Sequence, residues 1–524
     1  MTSRRSRVCG TLGVVILLVV AGVAPAVATT DADVSESWTT LPNHGGEATS
    51  TPSEEAVLHQ RGIVSRNDEP GSVTLTFEYE VPSSVTGLRV AIPVVSLDGI
   101  TVDGMEGFER TEDGRFLWDT ETERPTVSIR MAVGDSMASG VRGLERDDWA
   151  FVSEPNTRVQ VRTDARPLQT DSLTIAEGED GFARSHLAYV GAHERRNVTV
   201  GDGQATFVLG AADANPGRAI EFLRTADGRF DFGVQRDSMT VFVLPLSGLD
   251  EAPVQAATVD TAFWVGRSGV RLDSTGSVFT HEYVHTRLGT VGRSDATWLT
   301  EASAEYYGRV FAFNDGIGTY DSFLDGLRAD EYGPDGRSAV LTDSETWRGT
   351  SANYDKGAHV LAALDAEIQR RTDGEQSLSD VFAGRSEPFQ NYQAFRAAVI
   401  EVTGDDSIGS WLDRYATTDD LPPLPTDPAY YVADPSLDPD GDGMASGAEL
   451  DADRHPFVEG EARDRLSEEQ STASDSEATT DAEMTGEQSP ETSGVAPGFG
   501  AVTLLAALAA LAIALGRRSG PDAP

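Results

Sequence analysis

Residues 281–285 read His-Glu-Tyr-Val-His, and residues 298–307 read Trp-Leu-Thr-Glu-Ala-Ser-Ala-Glu-Tyr-Tyr. On a helix, His281 and His285 stand one turn apart on one face, so both imidazoles can reach a single ion. Glu282, between them, is placed to take a proton from a metal-bound water. Glu301, on the helix expected next, can supply a third protein ligand and leave the fourth position open for that water. This spacing describes a zinc hydrolase. An acidic surface helix carrying two solvated histidines is the plainer alternative, and Glu301 on a second helix weighs against it.

Both stretches resemble the gluzincin metallopeptidases, the group that includes thermolysin and aminopeptidase N. The family pattern is HExxH followed by W-L-x-E-G-x-A-x-Y, and Trp298, Leu299, Glu301, Ala304 and Tyr306 occupy its fixed positions. The resemblance implies that His281, His285 and Glu301 bind zinc and that Glu282 is the general base. It also implies that Glu305 orients a ligand histidine, a bond that fixes the tautomer. A solvated helix charge is the competing reading of Glu305. A third block, Tyr354-Asp355-Lys356-Gly357, resembles the Y-x-K-G segment of aminopeptidase N-type enzymes. There it makes Tyr354 the neutral donor to the oxyanion of the tetrahedral intermediate, against a plain reading as a core tyrosine at a helix start. Lys356 is the sole lysine of the chain. The segment 395–423 is a weaker echo, so the resemblance covers about 236–425.

The departures shape the expected specificity. His285 and Glu301 are closer in sequence than in the named enzymes, and Ala302 replaces the usual glycine. Nothing between 240 and 280 matches the G-x-M-E-N stretch that holds a free amino end, and the edge strand is expected at 261–269. The aminopeptidase motif is therefore absent, and a peptide or protein substrate of open specificity is expected.

The chain of 524 residues holds 85 acidic and 41 basic residues, for a formal net charge of −44. Nucleic acid is excluded as a partner, because phosphate binding needs the opposite sign. Arginine used almost to the exclusion of lysine, within this acidic excess, resembles proteins of salt-loving archaea. Self-repulsion of this kind opposes compaction in dilute buffer and is screened to about 3 Å at molar salt.

The two ends read as addresses. Arg4, Arg5 and Arg7, the apolar stretch 12–24 and Ala26-Val27-Ala28 form an export signal over 1–28, implying the export machinery as a partner. The sole cysteine, Cys9, would leave with it. Residues 457–495 are acidic and rich in Ser and Thr, the composition of a disordered stalk. Residues 496–518, with Pro497-Gly498-Phe499, an apolar run and Arg517-Arg518, resemble an archaeal sorting signal. Such a signal is cut by a sorting protease that attaches a lipid anchor; uncut, it would serve as a transmembrane segment. Either way the expected location is the outer face of the cell membrane.

Between 29 and 235, alternating stretches such as 72–79, 88–94, 125–132, 157–162 and 204–209 predict an all-β N-terminal domain. His186 and His193 within it read as structural or exposed. Asn197-Val198-Thr199 is a glycosylation sequon, with Asn197 the candidate acceptor. An α+β gluzincin (thermolysin-like) catalytic domain with a helical lobe follows over 236–425. It is expected to open with a strand at 240–244 and to carry helices near 275–288, 296–311, 352–371, 390–402 and 406–416. Within 434–456, residues 438–449 match a twelve-residue EF-hand-like calcium loop. Asp438, Asp440 and Asp442 stand at positions 1, 3 and 5, Gly443 at 6, the Met444 carbonyl at 7, Ser446 at 9 and Glu449 at 12. The whole reads as a multidomain, cell-surface metallopeptidase with catalytic Zn2+ and structural Ca2+. The alternatives are a non-catalytic zinc- and calcium-binding surface module, or a zinc hydrolase of a non-peptide substrate.

Overall fold

The structure is a computed structural model. It describes residues 38–41, 57–68, 71–97, 99–133, 143–146, 148–163, 168–210, 214–229, 232–246, 256–328, 338–385, 387–432, 436, 438, 443–452, 454 and 456. The export signal, stalk and sorting signal expected at the two ends lie outside the described residues, as do Asp440 and Asp442. Among the described residues no helix is long and apolar enough to cross a membrane. The chain is multidomain, with a β-rich N-terminal region and a helical C-terminal region. It falls into two compact units, one drawn from 1–272, 278–290 and 384–386, the other from 273–277, 291–383 and 387–524.

The first unit begins with strands β1 (Thr39–Thr40), β2 (Val57–Arg66), β3 (Ser72–Glu80), β4 (Val85–Ala91), β5 (Ile100–Glu106), β6 (Phe108–Arg110), β7 (Phe116–Trp118) and β8 (Thr126–Ala132). Next come β9 (Gly143–Arg146), β10 (Trp149–Ser153), β11 (Arg158–Thr163), β12 (Leu168–Ile175), β13 (Gly181–Arg184) and β14 (Leu187–Gly191). One five-stranded sheet has the order β12-β2-β3-β8-β5, and a second has β1-β11-β4-β7-β6. Strict alternation in β3 sends Val73, Leu75, Phe77 and Tyr79 to one face. There they share a core with Val90, Phe116, Ile129 and Val159 from both sheets. Each such fully buried side chain contributes about 1.5–3 kcal/mol. Trp38, just before β1, lies between the Arg89 and Arg162 guanidiniums, 4.5 and 4.3 Å from its ring centroid.

A four-stranded sheet, β13-β14-β10-β9, adjoins a mixed sheet of order β15-β16-β17-β19-β18. Its strands are β15 (Glu194–Val200), β16 (Gly203–Leu209), β17 (Ser238–Leu244), β18 (Ala256–Val259) and β19 (Ala262–Gly266). Trp149, Phe151 and Tyr189 of the four-stranded sheet share a core with Phe242, Leu244 and Trp264 of the mixed one. The helices α1 (Gly217–Arg229) and α2 (Val278–Leu288) also pack on the mixed sheet. Phe279 of α2 meets Phe207 of β16, Phe222 of α1 and Phe263 of β19 at ring-centroid distances of 6.4, 6.1 and 5.2 Å. Layers on both faces explain why six of the seven residues of β17 are buried.

Three details differ from the sequence reading. Residues 217–229, expected within an all-β region, are helical, because Ala219, Phe222, Leu223 and Ala226 form one buried stripe. The mixed sheet starts at β15, so the expected start of the catalytic half at 236 falls between the paired strands β16 and β17. The edge strand is β18 at 256–259; residues 262–266 form β19, flanked by β17 and β18.

The second unit contains helices α3 (Trp298–Asn314), α4 (Tyr320–Leu327), α5 (Ala352–Arg371), α6 (Leu378–Phe382), α7 (Tyr392–Thr403), α8 (Ser407–Ala416) and α9 (Ser446–Asp451). Local signals set their limits. Thr319 caps α4 in a reciprocal box with Ser322, the Asn391 carboxamide caps α7, and Gly404 ends α7 at φ 64°. In the helical core, Tyr306 donates to Asp365 Oδ2 at 2.5 Å. Asp365 Oδ1 accepts from the Leu378 backbone at 2.9 Å and from Gln369 at 3.1 Å. The short helices α4, α6 and α9 add to the four that the sequence predicts within this unit.

Candidate metal centre

Helix α2 is buried from Phe279 to Arg287. Its polar residues therefore need partners of their own. Arg287 donates to the Tyr283 hydroxyl at 2.9 Å and to the Phe232 carbonyl at 2.8 Å. Thr286 donates back to the Tyr283 carbonyl at 2.7 Å. Gly289, at φ 58°, closes the helix with its N–H on the His285 carbonyl at 2.8 Å.

His281 and His285 are each 2 % exposed, and their Nε2 atoms lie 3.0 Å apart. His281, His285 and Glu301 each offer one ligand atom, and these atoms lie within 4.8 Å of one another. Two nitrogens held tetrahedrally at zinc–nitrogen distances would be separated by about 3.3 Å. The observed separation is close to that, and two imidazoles with a carboxylate are a donor set suited to zinc. The residues present fit the ion.

Glu282 is fully buried, and a side chain of β18 meets it. Thr258 Oγ1 donates to Glu282 Oε2 at 2.5 Å and also lies 3.2 Å from the Glu282 carbonyl oxygen. Sequence reading missed Thr258. The contact depends on strand register, and the only local signal is the pair Asp260-Thr261 as a hairpin turn.

Glu301 and Glu305 lie one turn apart on α3. Glu305 Oε1 accepts from Arg309 Nε at 2.8 Å, with both side chains mostly buried. Arg309 fits because Gly276 and Gly326 carry no Cβ: one built at Gly326 would fall 2.1 Å from its Nη1. The start of α3 is held by Thr300, whose hydroxyl accepts from the Val291 N–H at 3.1 Å.

Tyr354 sits half-buried in the first turn of α5. Beside it, burial pushes the Asp355 carboxyl up to about 6; the Ser351 hydroxyl opposes that rise and the Glu305 charge adds to it. Lys356 is fully buried and donates from Nζ to the carbonyls of Ala339 and Thr418, which gives the one lysine a structural role. Gly357 allows α5 to approach α3, since a Cβ there would lie 2.5 Å from Ala302 Cβ.

The remaining candidates stand apart from this cluster in sequence. Asn197 is exposed on β15, the outer strand of the mixed sheet, and accepts from Thr206 Oγ1 at 3.0 Å. Asp438 Oδ2 accepts from the Gly443 N–H at 3.0 Å, with Gly443 at φ 94°. Ser446 and Glu449 are buried in α9, and Met444 is half-buried. His186 meets buried Glu154 at 2.7 Å, a structural contact in the β-rich region.

No protein-family model matches the sequence, and no curated protein matches it significantly. Among solved structures, the chain is similar to an aminopeptidase N family protein from Idiomarina loihiensis, with TM-score 0.47 and 12 % identity. That match covers 69 % of this chain and 74 % of the other. It is also similar to Legionella pneumophila aminopeptidase A, solved in complex with aspartic acid, with TM-score 0.41 and 13 % identity over 69 % of this chain. The chain spans about half of that second protein, 49 % of its length.

Proposed function

We propose that this chain is a zinc-dependent metallopeptidase. The observation that carries the reading is the buried convergence of His281, His285 and Glu301, with Glu282 between the two histidines in sequence. These three residues would hold the zinc, which when bound lowers the pKa of a water and polarises a carbonyl. Glu282 would hold the proton taken from the attacking water at its carboxylate and deliver it to the leaving amide nitrogen. The Tyr354 phenol would donate to the oxygen that gains negative charge. Glu305, braced by Arg309, would support a ligand histidine through its carboxylate. No G-x-M-E-N segment stands between 240 and 280 to hold a free amino end, so the proposal is peptide-bond hydrolysis with the specificity open.

The reading extends to location and to a second ion. The export signal and C-terminal sorting signal would place the enzyme on the outer face of a haloarchaeal membrane. Asn197, exposed on an outer strand, would be open to glycosylation there. The segment 438–449 would bind calcium and stiffen the junction with the stalk. The Asp438–Gly443 contact and the positive φ of Gly443 support that, since the loop needs its first carboxylate and sixth-position glycine arranged in this way.

The test is peptide-library cleavage by the purified chain in molar KCl, comparing wild type with Glu282→Gln and measuring zinc in both. Cleavage by the wild type alone, with zinc in both, is the expected result. Zinc in both without cleavage would favour a binding module or a non-peptide substrate. Absence of zinc would overturn the reading.

A further inference from the structure

We propose that Thr258 is a positioning residue for the general base, fixing the orientation of the Glu282 carboxylate. This rests on the peptidase reading above. The contact follows from the register of one hairpin. β18 and β19 are joined by the two-residue turn Asp260-Thr261, with Asp260 at φ 52°, and Thr258 stands directly opposite Phe263. Cross-strand partners share a face, and Phe263 packs against Phe279 of α2. Thr258 therefore also faces α2. Glu282 follows Phe279 by three residues, which brings it to the same side of the helix. A slip of one residue would present Ala257 or Val259 instead, neither of which can donate.

The chemistry suits a base that must gain and lose a proton. The terminal torsion of a glutamate is broad and roughly two-fold, so its two oxygens are interchangeable unless something distinguishes them. Thr258 Oγ1 donates to Oε2 at 2.5 Å, with Thr258 4 % exposed and Glu282 fully buried. That bond fixes the orientation of the Glu282 carboxylate relative to α2, so a water approaching the site meets a base held in one geometry.

The test compares Thr258→Val, which keeps the β-branched shape and deletes the hydroxyl, with Thr258→Ser, which keeps the hydroxyl. The expected result is a loss of roughly 10- to 100-fold in kcat for the valine variant, with KM, zinc content and unfolding temperature close to wild type. The serine variant should recover kcat to within about threefold. In a Glu282→Gln background the valine substitution should cost almost nothing more, because the two groups act as a unit. Wild-type kcat in the valine variant would overturn the proposal. So would equal losses in both variants accompanied by falls in zinc or unfolding temperature, which would make Thr258 structural. If the wild type cleaves no peptide, the peptidase reading fails and this inference fails with it; an active wild type beside an unaffected valine variant removes the inference alone.

Discussion

Lys356 Nζ donates to the backbone carbonyl of Ala339 at 2.6 Å, across 17 residues of sequence. The same nitrogen reaches the Thr418 carbonyl at 3.0 Å, so one ammonium ties α5 to a turn before it and to the end of α8. An arginine could not substitute easily: its planar fork is larger than the compact ammonium and needs acceptors arranged in a plane. Here the acceptors are two carbonyls around a point.

Removing that tie should destabilise the helical unit. Lys356→Met leaves two carbonyls without their buried donor, at an expected cost of about 2–4 kcal/mol. Lys356→Arg should lose a comparable amount through overpacking. Thermal unfolding in molar KCl would measure both, and an arginine variant as stable as wild type would show that charge alone is required.

Asp355 gives a pH signature. Burial raises its carboxyl from an ordinary 3.8 to about 6, so between these values the native state holds a proton that the unfolded chain releases. Stability from this group is full below about pH 4 and is lost as pH rises through about 6. Asp355→Asn should remove the slope. Its stability relative to wild type should therefore improve from pH 4 to pH 7, by at most about 3 kcal/mol. Denaturant unfolding at four pH values in that range would check the sign, and parallel curves would refute the assignment.

The pairing of His281 with His285 was legible because its information is local. Three residues of helix stand between them, and α2 is buried where its Phe279 meets Phe207, Phe222 and Phe263. Helix α5 was likewise readable to its ends. What the sequence hid depends on contacts that cross it. Both 256–259 and 262–266 are apolar and strand-forming, and periodicity cannot say which one lies outermost. Thr258 meets a residue 24 positions away only after the hairpin register is set. Helix α1 escaped notice because its buried stripe is interrupted by arginine, threonine and glycine and reads as weakly amphipathic. The partners of Lys356, 17 and 62 residues distant, are main-chain atoms that leave no trace in side-chain patterns.

The calcium site proposed at 438–449 makes a separable prediction. A site that binds only the folded chain raises the unfolding temperature in proportion to ligand excess. Millimolar Ca2+ added to chelator-treated protein should therefore raise it by a few degrees, and equal Mg2+ should do less, since Mg2+ demands tighter octahedral geometry. Glu449→Gln should abolish the response, because the twelfth position supplies both carboxylate oxygens. Peptide cleavage at saturating zinc should be unaffected at low temperature. An unchanged unfolding temperature in the wild type would remove calcium from the proposed function.

The packing of α3 against α5 at Gly357 offers a test of how the two motif blocks depend on each other. Ala302 follows Glu301, the proposed third ligand, where the gluzincin pattern has glycine, and Gly357 ends the Tyr-Asp-Lys-Gly block. With no Cβ on Gly357, the helices close until a Cβ built there would lie 2.5 Å from that of Ala302. Ala302 is fully buried, so it has no room to yield. Gly357→Ala should force the helices apart and cost about 1–3 kcal/mol, although alanine is the better helix former by nearly 1 kcal/mol. Ala302→Gly should be mildly destabilising alone, through helix propensity. Together the two changes should recover most of the loss, because the methyl moves from one helix to the other and the gap stays filled. The double-mutant cycle would then show a coupling of about 1 kcal/mol or more, and zinc affinity should follow the same pattern, since Glu301 precedes Ala302 on α3. Additive effects would mean that α5 tolerates displacement and that close packing against α3 does not require the glycine.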